Sequence, residues 1–284
     1  MTARNQLLII DPQNDFCDLP TSWQPLNPLT GQACAPALPV NGAHEDMRRL
    51  AAFIDGHIGV LSDIVVTLDS HQRVDIAHPT FWQTGEGGSV AAFTQVSADD
   101  VRAGRCLPRD PAALPRTLRY LDELEARGRY QLMVWPVHCE IGTWGHAVHA
   151  AVQAAVNRWE EVQLRQVRHV HKGNNPWTEH YSAMQAEVPD ADDPATALNR
   201  ELLADLDRAD TLFIAGEASS HCVRATTEHI VDNLSSGRPE RIVLLTDCMS
   251  PVRGFEPQAQ TFLDDMRSRG VRLATTAQAS AWLN

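Results

Sequence analysis

Leu212-Phe213-Ile214-Ala215-Gly216, followed by Glu217-Ala218-Ser219-Ser220-His221-Cys222, reads as an apolar strand, a glycine turn and the start of a helix. The strand is apolar up to its glycine and does not alternate, the pattern of a parallel strand covered on both faces. Similar short runs recur at 6–10, 64–68, 130–135, 167–171, 211–215, 241–246 and 271–275. Segments with helical spacing lie between them. At 45–58, Met47, Leu50, Ala51 and Ile54 share one face. At 194–206, Asp193 is a candidate N-cap and Pro194 takes the first helical position. Further helices are expected around 116–127, 221–234 and 257–269. Strands alternating with helices predict an α/β fold: a doubly wound, mainly parallel sheet with helices on both faces, three-layered and Rossmann-like.

Two stretches exceed what such a fold needs. Residues of about 18–42 are rich in Pro, Gly and Thr, and residues 79–128 hold Gly85, Gly87 and Gly88 before a helix. They read as insertions into one domain spanning 1–284, of a length that usually serves a site. The net charge of -12 leaves no basic surplus for phosphates, so nucleic acid and anionic membranes are disfavoured as partners. No apolar run reaches the roughly 18–20 residues of a membrane span. Met1 to Asn5 leads directly into a strand without the pattern of a secretory leader, so a cytoplasmic protein is expected. The six cysteines are scattered, unlike a disulfide scaffold.

Cys222 stands where a strand, a glycine and a helix N-terminus meet. Free N–H groups and the helix dipole there favour a thiolate and would lower the thiol pKa. The same N–H groups suit an oxyanion. Cys17, Cys34, Cys106, Cys139 and Cys248 lack this setting and read as structural. A nucleophilic thiol needs a base or a cation. Asp11 ends the first strand, in Ile9-Ile10-Asp11-Pro12, and Lys172 ends another, in His169-Val170-His171-Lys172-Gly173. Singly, a strand-end Asp is more often a turn former and a strand-end Lys a solvated one. In open parallel sheets, however, the carboxyl ends of the strands share one crevice, so the three side chains can converge.

Asp69-Ser70-His71 follows another strand and puts a carboxylate and an imidazole on one side of an extended chain. Such a pair suits Zn²⁺, with Mn²⁺ and Fe²⁺ as alternatives. His138 follows the 130–135 run and is a third candidate ligand; His78 is a fourth. With twelve histidines, chance pairs are common, and His44, His57 and His229 read as surface residues. His146 and His149 are placed on a helix after Gly145, where they cap or pack.

These residues together resemble nicotinamidases, within the isochorismatase-like cysteine hydrolases. Asp11-Pro12-Gln13-Asn14-Asp15-Phe16-Cys17 resembles their opening D-x-Q-N-D-F segment, and Asp69-Ser70-His71 their D-x-H metal segment. Trp135-Pro136-Val137-His138-Cys139 with Gly142-Thr143-Trp144-Gly145 resembles W-P-x-H-C…G-T-x-G. His171-Lys172-Gly173 matches the lysine segment, and Gly216 to Val223 matches G-x-A-x-x-x-C-V. The five segments occur in the family's order, from residue 7 to about 250. The resemblance implies Asp11 as general base, Lys172 as stabiliser of the thiolate and Cys222 as nucleophile. It implies a metal on Asp69, His71 and His138 that receives a pyridine nitrogen, and Phe16 and Trp135 flanking the ring. It also implies a cis peptide between Glu217 and Ala218, aiming the Ala218 N–H with that of Cys222 at the substrate oxygen. The spacing around His78 departs from the family's commonest one, and both insertions lengthen the chain.

The expected activity is hydrolysis of a small amide, most simply nicotinamide to nicotinate and ammonia, through a cysteine thioester. Hydrolysis of another small amide, attack by a metal-bound hydroxide, and non-catalytic binding of a small ligand are the competing readings. The oligomeric state is left open, a homo-oligomer included.

Overall fold

The computed structural model describes residues 3–283; Met1, Thr2 and Asn284, at the ends of the expected 1–284 domain, lie outside the described residues. Ten strands occur in chain order: β1 (Asn5–Ile10), β2 (Leu61–Asp69), β3 (Trp82–Thr84), β4 (Thr94–Val96), β5 (Cys106–Pro108), β6 (Leu132–Val134), β7 (Arg168–Lys172), β8 (Thr211–Gly216), β9 (Ile242–Leu245) and β10 (Arg272–Ala274). The α-helices are α1 (Ala43–Gly56), α2 (Ala98–Arg102), α3 (Leu114–Arg127), α4 (Ala150–Gln163), α5 (Arg200–Leu206), α6 (Cys222–Asn233), α7 (Glu256–Ser268) and α8 (Thr276–Leu283).

Six strands form the central sheet in the order β10-β9-β8-β1-β2-β7, and every pairing is parallel. The chain winds outward from β1 through β2 to β7, then from β8 through β9 to β10. The reversal falls between β1 and β8, where a doubly wound sheet opens its crevice. Burial explains the apolar runs. Leu7 and Ile9 of β1 face a core built with α1 and α4. Leu8 and Ile10 face a second core, built with α5, α6 and α7. Gly216 ends β8 beside Ile10 with a φ of +120°, and a Cβ there would lie 1.9 Å from the Ile10 carbonyl oxygen. Only glycine lets the two strand ends approach this closely.

Several expectations are corrected. The run at 130–135 is not in the central sheet: β6 pairs antiparallel with β4 in a separate ribbon, and β3 pairs with β5 in another. A short apolar strand takes the edge that packing offers it, and the 79–128 insertion supplies both that edge and apolar residues such as Trp82 and Leu121, which share a core with Val134. The expected helix at 194–206 is broken. Asp193 caps a 3₁₀ turn at Pro194–Thr196, and α5 starts anew behind Asn199, whose side chain accepts from the Leu202 N–H. His146 and His149 precede α4, with His149 as its N-cap, accepting from the Ala151 N–H. His44 and His57 are buried, not on the surface; His57 Nδ1 lies 2.7 Å from the Phe53 carbonyl oxygen. No helix among the described residues is long and apolar enough to cross a membrane.

Candidate active site

The sheet register brings the candidate residues together before any side chain is considered. Asp69 at the end of β2 is paired with Lys172 at the end of β7, and Ile10, just before Asp11, with Gly216. Asp11 follows β1 with φ +45°, a left-handed backbone that Asp adopts more readily than most residues. Its N–H donates to the Thr67 carbonyl (3.2 Å) and to Thr67 Oγ1 (3.1 Å), and Thr67 Oγ1 donates back to Asp11 Oδ1 at 2.6 Å.

Lys172 Nζ is the hub. It lies 2.9 Å from Asp11 Oδ2, 2.9 Å from Asp69 Oδ1, 3.0 Å from the His180 carbonyl oxygen and 3.6 Å from Cys222 Sγ. The lysine is 2% exposed, so its charge needs these partners. Burial works against that charge, but Asp11 and then Asp69 override it and push the lysine well above its ordinary value. Burial likewise pushes the Asp11 carboxyl up; Lys172 opposes that shift. Burial also raises the Cys222 thiol well above its usual range, with Lys172 opposing and Asp11 and Asp69 adding to the rise. The expectation of a lowered thiol pKa is therefore reversed. Lost hydration outweighs the helix end and the ammonium, and the resting sulfur is a thiol facing a carboxylate.

Cys222 is the first residue of α6, and the Glu217–Ala218 peptide before it is cis. Neither the Ala218 N–H nor the Cys222 N–H donates to another group among the described residues. A pocket opens in front of the thiol. Phe16, Trp135 and Tyr181 give it aromatic walls, Leu38 and Val40 come from the 18–42 insertion, and Asp69, His138 and Glu179 give it a polar side. No described residue of 79–128 lines it.

His71, His78 and His138 present ligand atoms within 4.8 Å of one another, all buried. Asp69 Oδ2 lies 3.2 Å from His71 Nε2 and 3.3 Å from His138 Nε2. The other ring nitrogens have partners too: His71 Nδ1 lies 3.0 Å from Asp75 Oδ2, and His138 Nδ1 lies 2.8 Å from the Pro136 carbonyl oxygen and 3.2 Å from His78 Nε2. That is how ligating imidazoles are oriented in metal sites. Burial, then His138 and His71, drives His78 down to about 2, so it is a neutral imidazole, the form that ligates. Burial disfavours charge on His71, yet Asp69 and Asp75 push it well up, which marks a place that demands positive charge. Three imidazoles and a carboxylate fit a divalent ion such as Zn²⁺.

Other contributors went unread in the sequence. Gln13 grips the Asp69 backbone, Asp15 Oδ2 accepts from the Cys139 N–H at 2.7 Å, and Asp75 orients His71. Glu179 is fully buried with Oε2 unpartnered among the described residues, and burial pushes its carboxyl up to about 7. The Cys139 thiol is pushed well up by burial, and its sulfur does not belong to the group of ligand atoms that His71, His78 and His138 form.

No protein-family model and no curated protein sequence matches the chain. Solved structures do. The yeast nicotinamidase Pnc1p is 18% identical with a TM-score of 0.63, over 95% of this chain and 99% of its own. A zinc complex of the pyrazinamidase of Pyrococcus horikoshii is 17% identical with a TM-score of 0.52, over 96% and 99%. An isochorismatase-like hydrolase from Alkaliphilus metalliredigens is 15% identical with a TM-score of 0.52, over 99% and 100%. What these identities establish is architecture: the chain has the isochorismatase-like α/β fold that the nicotinamidases and pyrazinamidases share.

Proposed function

We propose that this chain is a metal-containing cysteine amidohydrolase of the nicotinamidase type, converting nicotinamide and water to nicotinate and ammonia. One observation carries the reading. Lys172 Nζ lies 2.9 Å from Asp11 Oδ2 and 3.6 Å from Cys222 Sγ, all three buried, and Cys222 lines a pocket with aromatic walls. We read residues 1–284 as a single cysteine hydrolase domain carrying the insertions at about 18–42 and 79–128.

In this reading the amide stacks between Phe16 and Trp135. Asp11 takes the thiol proton as Sγ attacks the carbonyl carbon. The carbonyl electron pair moves onto oxygen, which rests against the N–H groups of Ala218 and Cys222. Lys172 keeps its charge throughout and offsets the negative charge formed on sulfur and oxygen. Collapse of the tetrahedral adduct expels the amine, which leaves as ammonia with the proton from Asp11, and a thioester remains. Asp11 then deprotonates a water that attacks the thioester, releasing the carboxylate and restoring the thiol. Asp69, His71 and His138, with His78 beside them, would hold a divalent ion, most simply Zn²⁺ with Mn²⁺ or Fe²⁺ as alternatives; it would supply an electrophile toward a ring nitrogen.

Leu38 and Val40 reach the pocket from the 18–42 insertion and favour a second reading, hydrolysis of a different small planar amide. Ammonia release measured over nicotinamide, pyrazinamide and aliphatic amides separates the two. Cys222→Ala is expected to abolish turnover with fold and metal content unchanged, and iodoacetamide to inactivate the unmodified chain. Turnover retained in either case would point to a metal-hydroxide nucleophile instead.

A further inference from the structure

Next to the catalytic pocket lies a second, open cavity of about 190 Å³, and Tyr181 and His221 line both. It sits on the seam between the ribbon of β4 and β6 and the first turns of α6 and α7. Two arginines face it. Arg224 is the third residue of α6, two positions after Cys222. A cation in the first turn opposes the helix dipole, so helix stability does not account for it. Glu228 holds both arginines: its Oε1 accepts from Arg224 Nε at 2.8 Å, and its Oε2 pairs with Arg129 Nη2.

That arrangement leaves donors over. The two terminal nitrogens of the half-buried Arg224 donate to nothing among the described residues, and the carboxamides of Gln95, Gln131 and Gln258, exposed on the rim of the same cavity, are likewise free to donate. The Tyr130 hydroxyl beside them is buried without a partner among the described residues, and the guanidinium carbons of Arg129 and Arg224 stand 5.4 and 6.0 Å from its ring centroid. Glu228, and Glu187 at 3.9 Å from Arg129, offset much of the positive charge. What the cavity offers is therefore a set of directed N–H donors around a planar fork, suited to a carboxylate or phosphate more than to diffuse negative charge.

We propose that this cavity is an outer subsite for a small oxyanion, recognised by the free edge of Arg224 with the surrounding glutamine amides. The oxyanion is either an arm of an extended substrate whose amide enters past His221, or a separate anion bound beside the catalytic pocket. The first source rests on the amidohydrolase reading; the binding itself does not.

Calorimetric titration of the full chain with inorganic phosphate and with succinate tests the binding. Saturable binding of either is expected, weakened about tenfold or more in Arg224→Gln, the loss of one charge-assisted hydrogen bond. Should that variant fail to fold by circular dichroism, the exposed pair Gln131→Ala and Gln258→Ala replaces it, with weaker binding again expected. No binding of either probe, or binding unchanged in the folded variants, overturns the subsite. The source is read from kcat/KM for aromatic amides with and without a carboxylate arm. A preference for the charged amide that disappears in Arg224→Gln assigns the anion to the substrate. Equal preference, with phosphate binding intact, assigns it to a separate anion. If no amide is turned over, the amidohydrolase reading fails while the titration still decides the subsite.

Discussion

Gln13 holds Asp69 by both sides of its backbone: Oε1 accepts from the Asp69 N–H at 2.8 Å, and Nε2 donates to the Asp69 carbonyl oxygen at 2.7 Å. Gln13 Nε2 also reaches the His146 carbonyl oxygen at 3.0 Å. One buried carboxamide thus ties the end of β2, where the candidate metal carboxylate sits, to the turns after β1 and before α4. Such buried pairs fix a site because the alternative is an unsatisfied peptide group in a dry interior.

Gln13→Ala is therefore expected to weaken Zn²⁺ binding by about tenfold or more, the usual effect of removing a group that orients a ligand. It should also destabilise the fold by about 1–3 kcal/mol through the exposed needs of the Asp69 peptide. Competition with a chelating dye reads the first and urea denaturation the second. Unchanged ion affinity in a destabilised variant would leave Gln13 with a structural role alone.

Gly145 answers to Asp15 in the same way. A Cβ on Gly145 would stand 2.1 Å from Asp15 Oδ2, the atom that accepts from the Cys139 N–H. Asp15 Oδ1 accepts from the Ala37 N–H at 3.0 Å, next to Leu38 in the pocket wall. Gly145→Ala should push the carboxylate off these donors and cost about 1–3 kcal/mol, the desolvation penalty of a stranded buried N–H. A denaturation midpoint within error of the parent would show that the loop shifts freely to make room.

How much of this was legible depends on whether a residue's place follows from the sheet. Asp11, Lys172 and Cys222 sit at strand ends or helix starts, and a doubly wound sheet sends all of those to one crevice, so their meeting could be read from local pattern. Asp75 and Gln13 could not. Both sit in loops whose path is set by packing, and neither residue type in a loop announces a contact. The 130–135 run misled because periodicity reports burial and not which edge a strand joins. The thiol pKa misled because the sequence shows a helix N-terminus but not that Cys222 is 7% exposed.

Glu217 gives the stability of the chain a pH dependence of definite sign. Its carboxyl is pushed well above the ordinary 4.5, first by burial and then by Asp46. Ser250 joins the two acids, donating its N–H to Glu217 Oε2 at 3.2 Å and its hydroxyl to Asp46 Oδ2 at 2.6 Å. A group raised in the folded state contributes stability that is complete below its unfolded value and is lost as pH climbs through its folded value. Stability should therefore decline with rising pH above 4.5 on this account. Glu217→Gln carries no proton to lose and should decline less steeply. Urea midpoints between about pH 5 and 9 compare the two, and parallel declines would remove Glu217 from the explanation.

Thr67 offers a test of Asp11 that leaves the reacting groups untouched. Its hydroxyl donates to Asp11 Oδ1 at 2.6 Å and thereby favours the carboxylate. Valine has the same shape without the donor, and the Asp11 N–H keeps the Thr67 main-chain oxygen at 3.2 Å as acceptor. In Thr67→Val the Asp11 pKa must rise further. If Asp11 is the base that takes the thiol proton, less of it is ionised at a given acidic pH. The acid limb of kcat/KM should then move to higher pH by about one unit, the worth of one hydrogen bond to a charged group. The pH profile on whichever amide is turned over measures the shift. A limb that stays in place while the variant remains folded and metal-loaded would mean that another group accepts the proton from Cys222.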